Sequence, residues 1–448
     1  EGYRCDTTRA FTRVILHGAE GLLLAIDRRA WSRPGRPGLW LCSCAPVKDT
    51  APYPRALDER VPTRRVLPVR TLSRAYQPGD EAQINRLYLS LTGRDRTPAE
   101  FAWEWLDTWA GRGSMNLLFD LDREEGDQLV AQYSLIPTPL SVLGHVMLAG
   151  KTENCMSHPD VRGTGLYSAH ERECFEREKE RYSFFFTTAG QVAGGAVRRV
   201  RTKLGYVAFD DWANYTLWLD EGALHEDVLS ILTSRRAGLR RAAPALSVLL
   251  TGLVWRYGVV RRPRSCRHRV VARRPEDAPL DEIAGLWDRN RRHYGVSVER
   301  SVAYLRWRVN EDPHVDHEYL VMRGDDGLLG YAVTFVQGDD LHLVDIIVDG
   351  ARKDLFACLL AALVERGREL GCARIKCLTL RRSALLPGRL RSAGFVDASS
   401  LAPHTLFRKP PPRQFLVYIP DALRGEEEIT DNAAWYITAL VMEGLPRT

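Results

Sequence analysis

From Val69 onward, hydrophobic and polar residues follow one another with periods that switch between two and about 3.6, the signatures of strands and helices in turn. "VRTLSRAY" (69–76) reads as a strand, and "PGDEAQINRLYLSL" (78–91) as a helix opened by Pro78 with acidic residues in its first turn. "TPAEFAWEWLDTW" (97–109) predicts a second helix, with Thr97 at its cap and Glu100 three residues on, the spacing of a capping box. Strands follow at "MNLLFDLD" (115–122), "LVAQYSLIPTPLSV" (129–142) and "HVMLAGKTENCMSH" (145–158). A helix over "LYSAHERECFEREKER" (166–181), the apolar strand "YSFFFTT" (182–188), a basic helix around "GAVRRVRTKLG" (195–205) and the strand "YVAFDDWANYTLWL" (206–219) complete the series near Asp220.

A similar order returns further along. Helices fit "LDEIAGLWDRNRRHY" (280–294) and "RSVAYLRWRVN" (300–310), and strands fit "HEYLVMR" (317–323), "LGYAVTFVQ" (329–337) and "LHLVDIIVD" (341–349). The helix "KDLFACLLAALVERGREL" (353–370), the strand "ARIKCLTL" (373–380), the helix "ALLPGRLRSAG" (384–394) and the strand "FVDASSLAPHTLFR" (395–408) follow. "KLGYVAF" (203–209) and "SAGFVDA" (392–398) occupy the same slot in the two series, so a duplicated unit is the simplest account. The fold class expected is α/β (α+β), in two tandem domains, each a mixed, mostly antiparallel sheet flanked by helices. The divisions expected are an Arg/Pro-rich, poorly ordered leader at 1–68, a first domain at 69–220, an arginine-rich helical connector at 221–279, a second domain at 280–412 and a tail at 413–448.

Composition changes this picture little. A hydrophobic share of 45% and a charged share of 27% are ordinary for a globular chain, and no uninterrupted apolar run reaches the length of a spanning helix. The first residues carry no small-residue cleavage site, so no signal peptide is expected. Nine scattered cysteines in no metal-binding spacing predict reduced, mostly buried thiols, a cytoplasmic location and no metal. Charge is more informative. Residues 1–70 hold 13 Lys and Arg against 7 Asp and Glu, a net of +6 that equals the net charge of the whole chain. From Thr233 to Arg274 there are twelve arginines and no acidic residue. Two readings of residues 235–274 stay open: a helical linker packed between the domains, or peripheral contact with an anionic membrane through Trp255 and Tyr257. Nucleic acid is not expected, because no aromatic-basic repeat accompanies the charge.

The chemistry centres on "HPDVRGTGLY" (158–167), where a strand ends and a helix begins. The first amides of a helix have no internal partners, and glycines let an anion approach them closely. Arg162, Gly163, Thr164 and Gly165 could therefore hold a diphosphate. No Gly-Lys-Ser/Thr follows, as a nucleotide-triphosphate loop would need, and no parallel β-α-β unit is expected around the turn.

Arg162 and Gly165 stand at the spacing of the Arg/Gln-x-x-Gly-x-Gly/Ala signature, and from Val69 to Asp220 the chain resembles the GCN5-related N-acetyltransferases; the second half resembles the same fold, but its turn "VDGARKDLF" lacks the signature. The resemblance implies an acetyl-CoA or other acyl-CoA co-substrate held by Arg162, Gly163, Thr164, Gly165, Leu166 and Tyr167. It pairs the backbone of Met156 and Ser157 with the pantetheine arm and the thioester carbonyl. Tyr167 stands where Gly or Ala is usual, which would put a bulky side chain near the phosphates. Glu153, the one carboxylate of its strand segment and expected on the face opposite Asn154, is the candidate base, with His158 as the alternative. The family's proton-returning tyrosine is replaced by Arg201, so no acid is assigned. The acceptor implied is a primary amine, an amino sugar of envelope polysaccharide being one candidate. Two other activities share the duplicated fold: aminoacyl transfer from charged tRNA, and a scaffold without turnover.

Overall fold

The computed structural model describes residues 70–189, 196–233, 243–263, 265–398 and 413–442. The leader at 1–68 lies outside them. In the first half come β1 (Thr71–Ala75), α1 (Glu81–Thr92), α2 (Pro98–Phe101), β2 (Ser114–Asp120), β3 (Leu129–Val142), β4 (His145–Ser157), α3 (Leu166–Glu178), β5 (Phe184–Ala189), α4 (Ala196–Lys203) and β6 (Val207–Trp218). The expected capping box forms: the Glu100 amide donates to Thr97 Oγ1 at 3.1 Å, and the Thr97 amide to Glu100 Oε2 at 2.8 Å. Helix α2 then widens into a π-turn at Ala102–Leu106.

Two helices, α5 (Glu221–Thr233) and α6 (Ala243–Arg261), lead to the second half. That half contains β7 (Arg269–Arg273), α7 (Leu280–Asn290), β8 (Val296–Val298), α8 (Val302–Leu305), β9 (His317–Gly324), β10 (Gly327–Gln337), β11 (Asp340–Val348), α9 (Lys353–Glu369), β12 (Arg374–Leu380), α10 (Leu386–Ser392) and β13 (Val396–Asp397). Helix α8 also widens into a π-turn, at Arg306–Asn310. β7 was placed within the connector by sequence, yet it forms the edge strand of the second sheet, antiparallel to β9. The strand expected over 395–408 is described only at β13, and residues 399–412 lie outside the described part.

The last strands are exchanged between the halves. β14 (Gln414–Tyr418), which the sequence left in a tail, inserts between β5 and β6, antiparallel to both. β6 pairs with β14 over Val207–Asp211 and with β12 over Trp212–Trp218, while β13 lies along its other edge at Tyr215 and Thr216. Each half thus has the order of five strands, then a strand from the other half, then its own last strand, and one sheet runs through both. Part of the rest of 413–448 is core: β15 (Trp435–Tyr436) pairs with β8, and β8 pairs with the end of β3, while residues 443–448 lie outside the described part.

The halves also lock through matching tryptophans. Trp103 Nε1–H donates to the Trp307 carbonyl at 2.8 Å, and Trp307 Nε1–H to the Trp103 carbonyl at 2.9 Å, with the rings stacked 5.3 Å apart. Cys266 and Cys358 are joined as a disulfide with Cα atoms 4.4 Å apart, correcting the expectation of reduced thiols throughout. The fold brings together cysteines 92 residues apart, which spacing along the chain could not reveal.

Two outcomes test this architecture. Phe415, fully buried against the rings of Phe186, Trp212 and Trp435, fills the centre of the exchange. Phe415→Ala is expected to lower stability by about 3–5 kcal/mol in urea unfolding, with both halves losing structure in one transition. His342 stacks on Phe335 and is held neutral, its pKa lowered to about 4 chiefly by burial and then by Lys376. A base whose folded pKa is depressed contributes stability above its unfolded value of about 6.5, and that stability fades as pH falls toward 4. Between pH 7 and pH 5 this group should remove about 2 kcal/mol, and His342→Phe should flatten that part of the pH profile.

Candidate functional site

β4 and β5 run parallel from Ala149–Phe184 to Thr152–Thr187 and are then no longer paired. The loop after β4 therefore lies within a β-α-β unit, contrary to the expectation that no parallel β-α-β unit surrounds the turn. Across from Tyr133 on β3, β4 carries an extra residue: Ser134 faces Glu153 and Gln132 faces Met156, with Asn154 and Cys155 between. Asn154 takes φ 45°, a left-handed conformation that Asn tolerates better than most residues.

The bulge sets which side chains meet. Lys151, Glu153 and Asn154 all reach the α1–α2 face, so Glu153 and Asn154 are not on opposite faces as strict alternation predicted. Lys151 Nζ donates to Glu153 Oε2 at 2.6 Å, and Asn154 Nδ2 donates to Glu104 Oε1 at 2.5 Å. Glu104 comes from the π-turn after α2, and Arg96 donates to its other oxygen at 2.7 Å. Burial pushes the Glu104 carboxyl upward; Arg96 opposes this and Glu153 adds to it. Burial pushes the Lys151 ammonium downward against the pull of Glu153 and Glu104. Among these groups Glu153 is the accessible one, its side chain 30% exposed against 1% for Lys151 and 11% for Glu104. On the same face, both polar atoms of Gln132 and the Ser134 hydroxyl are buried without a partner among the described residues. Sequence reasoning missed Glu104; its one signal was a carboxylate set between the buried Trp103 and Trp105.

Beyond the bulge, the His158 amide donates to the Val130 carbonyl at 2.8 Å. Alternation from there turns the Met156 amide toward β3 and the Ser157 amide toward the unpaired edge, so of the two backbone positions expected to serve, Ser157 is the one left available. Arg162 is exposed and its Nε donates to the Ser157 carbonyl at 3.3 Å. Gly163 and Gly165 take φ 79° and 90°, and a Cβ on either would meet nothing within 4 Å. The Thr164 hydroxyl donates to the Val161 carbonyl at 2.7 Å and accepts from the Leu166 amide at 3.3 Å. The Tyr167 and Ser168 amides, first-turn donors of α3, have no backbone acceptor among the described residues.

The Tyr167 side chain does not crowd this mouth. It is turned inward, packed against the cluster of Leu118, Val130, Ala131 and Val161, and burial pushes its hydroxyl well above the usual tyrosine range. It shares its surroundings with Cys155, Glu171 and Arg201. Arg201, from α4, forms a buried ion pair with Glu171 of α3, Nε to Oε1 at 2.8 Å, and its Nη2 lies 3.2 Å from Cys155 Sγ. Burial pushes the Glu171 carboxyl upward and Arg201 pulls it back. Arg201 thus ties α4 to α3 behind β4, at the position the resemblance gives to a tyrosine.

In the second half the equivalent region is closed by its own side chains. Asp345, at the bulge of β11, receives two bonds from Arg300 at 3.1 and 2.9 Å, and further bonds from Tyr331 and Thr438. The Val348 amide donates to Tyr294, the Gly350 amide donates to Asn290 Oδ1, and Arg352 is paired with Asp354.

Arg201→Met should leave the Glu171 charge buried without its partner and cost about 3–5 kcal/mol in urea unfolding. The double change Arg201→Met with Glu171→Leu should recover most of that loss, and failure of the recovery would show that the pair is not what holds α3 to α4.

No protein-family model and no curated protein matches the sequence. Solved structures do resemble the fold. One from Enterococcus faecalis V583, described as a conserved protein of unknown function and "Probable N-Acyltransferase", is 12% identical, with 78% of this chain and 72% of that one covered and a TM-score of 0.51. A GCN5-related N-acetyltransferase from Anabaena variabilis is 9% identical at TM-score 0.48, covering 78% and 73%. Another from Kribbella flavida is 13% identical at TM-score 0.47, covering 79% and 72%. At such identities the likeness concerns the fold alone, and it is the first of these that carries it: over 78% of its length the chain shares that protein's mixed α/β fold.

Proposed function

We propose that the chain is an acyl-CoA-dependent N-acyltransferase acting on a primary amine of a small polar acceptor, an amino sugar being one member of that class. The observation that supports it best is the contrast between the halves. The first keeps the loop after β4 clear and gathers carboxylates at the bulge; the second fills both places with Arg300, Asp345, Asn290 and Tyr294.

The residues of the loop suit a diphosphate. The open faces of Gly163 and Gly165, the first amides of α3 and the Arg162 guanidinium would hold it, with Thr164 and Leu166 shaping the turn and Tyr167 contributing its amide. The Ser157 amide would serve the pantetheine arm or the thioester carbonyl, where a donor steadies developing negative charge. Bound acyl-CoA supplies the acyl group in activated form.

An alkyl ammonium, with a pKa of about 10.4, must lose a proton before it can attack. Glu153 takes that proton, while Lys151 and Glu104 fix the charge around it. The C–N bond forms as the C–S bond breaks, and the leaving thiolate takes up, through water, the second proton that the nitrogen sheds on becoming an amide. Arg201, buried in its pair with Glu171, cannot return that proton. The Gln132 and Ser134 side chains, fully buried on the Glu153 face and without a partner among the described residues, would gain bonds if an acceptor hydroxyl reached them, which favours a hydroxyl-bearing amine over an apolar one.

Thiol release from acetyl-CoA, measured against a panel of amino sugars and apolar amines, tests the reading. Glu153→Gln should lower kcat by about 10²–10⁴-fold and leave coenzyme A binding intact. Gly165→Val should weaken that binding instead, seen as loss of the thermal stabilisation of about 2.7 kcal/mol expected at 100 times the Kd. Full activity of the Glu153→Gln protein from pH 6 to pH 9 would remove Glu153 as the base.

A further inference from the structure

Helix α6 is apolar on both sides: Leu246, Leu250 and Val254 pack against the α5 cluster, and a second aliphatic face is left uncovered. The residues it buries are Ala243, Ser247, Thr251 and Gly258. Those it turns outward are aliphatic: Val248, Leu249, Leu253, Val259 and Val260 are 65, 57, 45, 41 and 66% exposed. Spacings of four (Leu249 to Leu253), seven (Leu253 to Val260) and eleven (Val248 to Val259) align them in one stripe. Trp255 and Tyr257, which the membrane reading of this segment set at the interface, are engaged by the protein instead. Trp255 packs with the α5 cluster, and the Tyr257 hydroxyl donates to the Arg391 carbonyl at 3.0 Å.

We propose that the outer face of α6 docks on an anionic lipid bilayer. By length and composition the helix could cross a membrane, but its packing keeps it on the surface. Arg262 donates to the Trp218 carbonyl at 2.8 Å, and Gly258 packs so closely that a Cβ on Gly394 would lie 2.8 Å from its carbonyl. Together with the α5 contacts, these hold the helix to the body near both ends, so it lies in the plane of the interface with its aliphatic stripe facing the acyl chains.

The charge selects the occupant. Arg256 lies within the exposed stripe and Arg261 at its end, in a segment with twelve arginines and no acidic residue from Thr233 to Arg274. A second copy docking by twofold symmetry would set these arginines against their own images. Anionic headgroups complement them.

Flotation of the full chain with phosphatidylcholine vesicles, with and without phosphatidylglycerol, tests the proposal. Binding is expected only to the anionic vesicles and should weaken as salt rises. Arg256→Gln and Arg261→Gln should each reduce partitioning about fivefold. Leu249→Ser with Val260→Ser should abolish it without moving the thermal midpoint or the far-UV spectrum. Absence of vesicle binding at low salt would overturn the proposal. So would self-association removed by the serine changes, which would make the face a contact between copies. A lowered thermal midpoint in the serine protein would show the face covered by the chain's own residues, and would overturn it equally.

Discussion

The insertion of β14 between β5 and β6 is the interaction on which the rest of the structure depends. A strand inside a sheet must satisfy its amides and carbonyls on both sides. β5 and the first part of β6 have no other described neighbour there. Without residues 414–418, the first half would expose two unpaired strand edges beside the aromatic cluster of Phe186, Trp212 and Trp435. β6 makes the reverse contribution by pairing with β12. The two halves are therefore a single cooperative body despite their repeated architecture, and the reciprocal bonds of Trp103 and Trp307 reinforce the same junction.

Within that body the two copies have taken different courses at the same structural position. The bulge of β11 is occupied by the Arg300–Asp345 pair, fully buried and with additional hydrogen bonds to the aspartate. Such a pair holds a shape and leaves no group free for a ligand. The bulge of β4 instead presents Glu153 partly exposed beside buried Lys151 and Glu104, with the Gln132 and Ser134 side chains lacking partners among the described residues. Polar groups buried without partners are costly in a finished core and useful where a ligand supplies the missing bonds.

Much of the fold could be read from the sequence, because local patterns produce it directly. The periods of the strands and helices, the Thr97–Glu100 box and the repeat of the whole series depend on neighbouring residues, and they recur in the structure. The glycine-rich turn was equally readable, since Gly163 and Gly165 adopt left-handed angles that few other residues accept. The carboxylate site was only half visible. Glu153 stood out on its strand, but the extra residue at Asn154–Cys155 that turns Asn154 toward Glu104 leaves no mark in composition or spacing.

The sequence by itself determined the elements, their duplication and the loop suited to an anion, because each arises from interactions among residues close along the chain. Tertiary structure alone decided that residues 414–418 complete the first sheet, that Cys266 meets Cys358, that Tyr167 turns away from the loop, and that α6 shows its aliphatic side to solvent. These outcomes depend on which distant surfaces meet and which groups remain uncovered once they do. No local period encodes that choice, since it is settled by the burial and hydrogen bonding of the whole body at once.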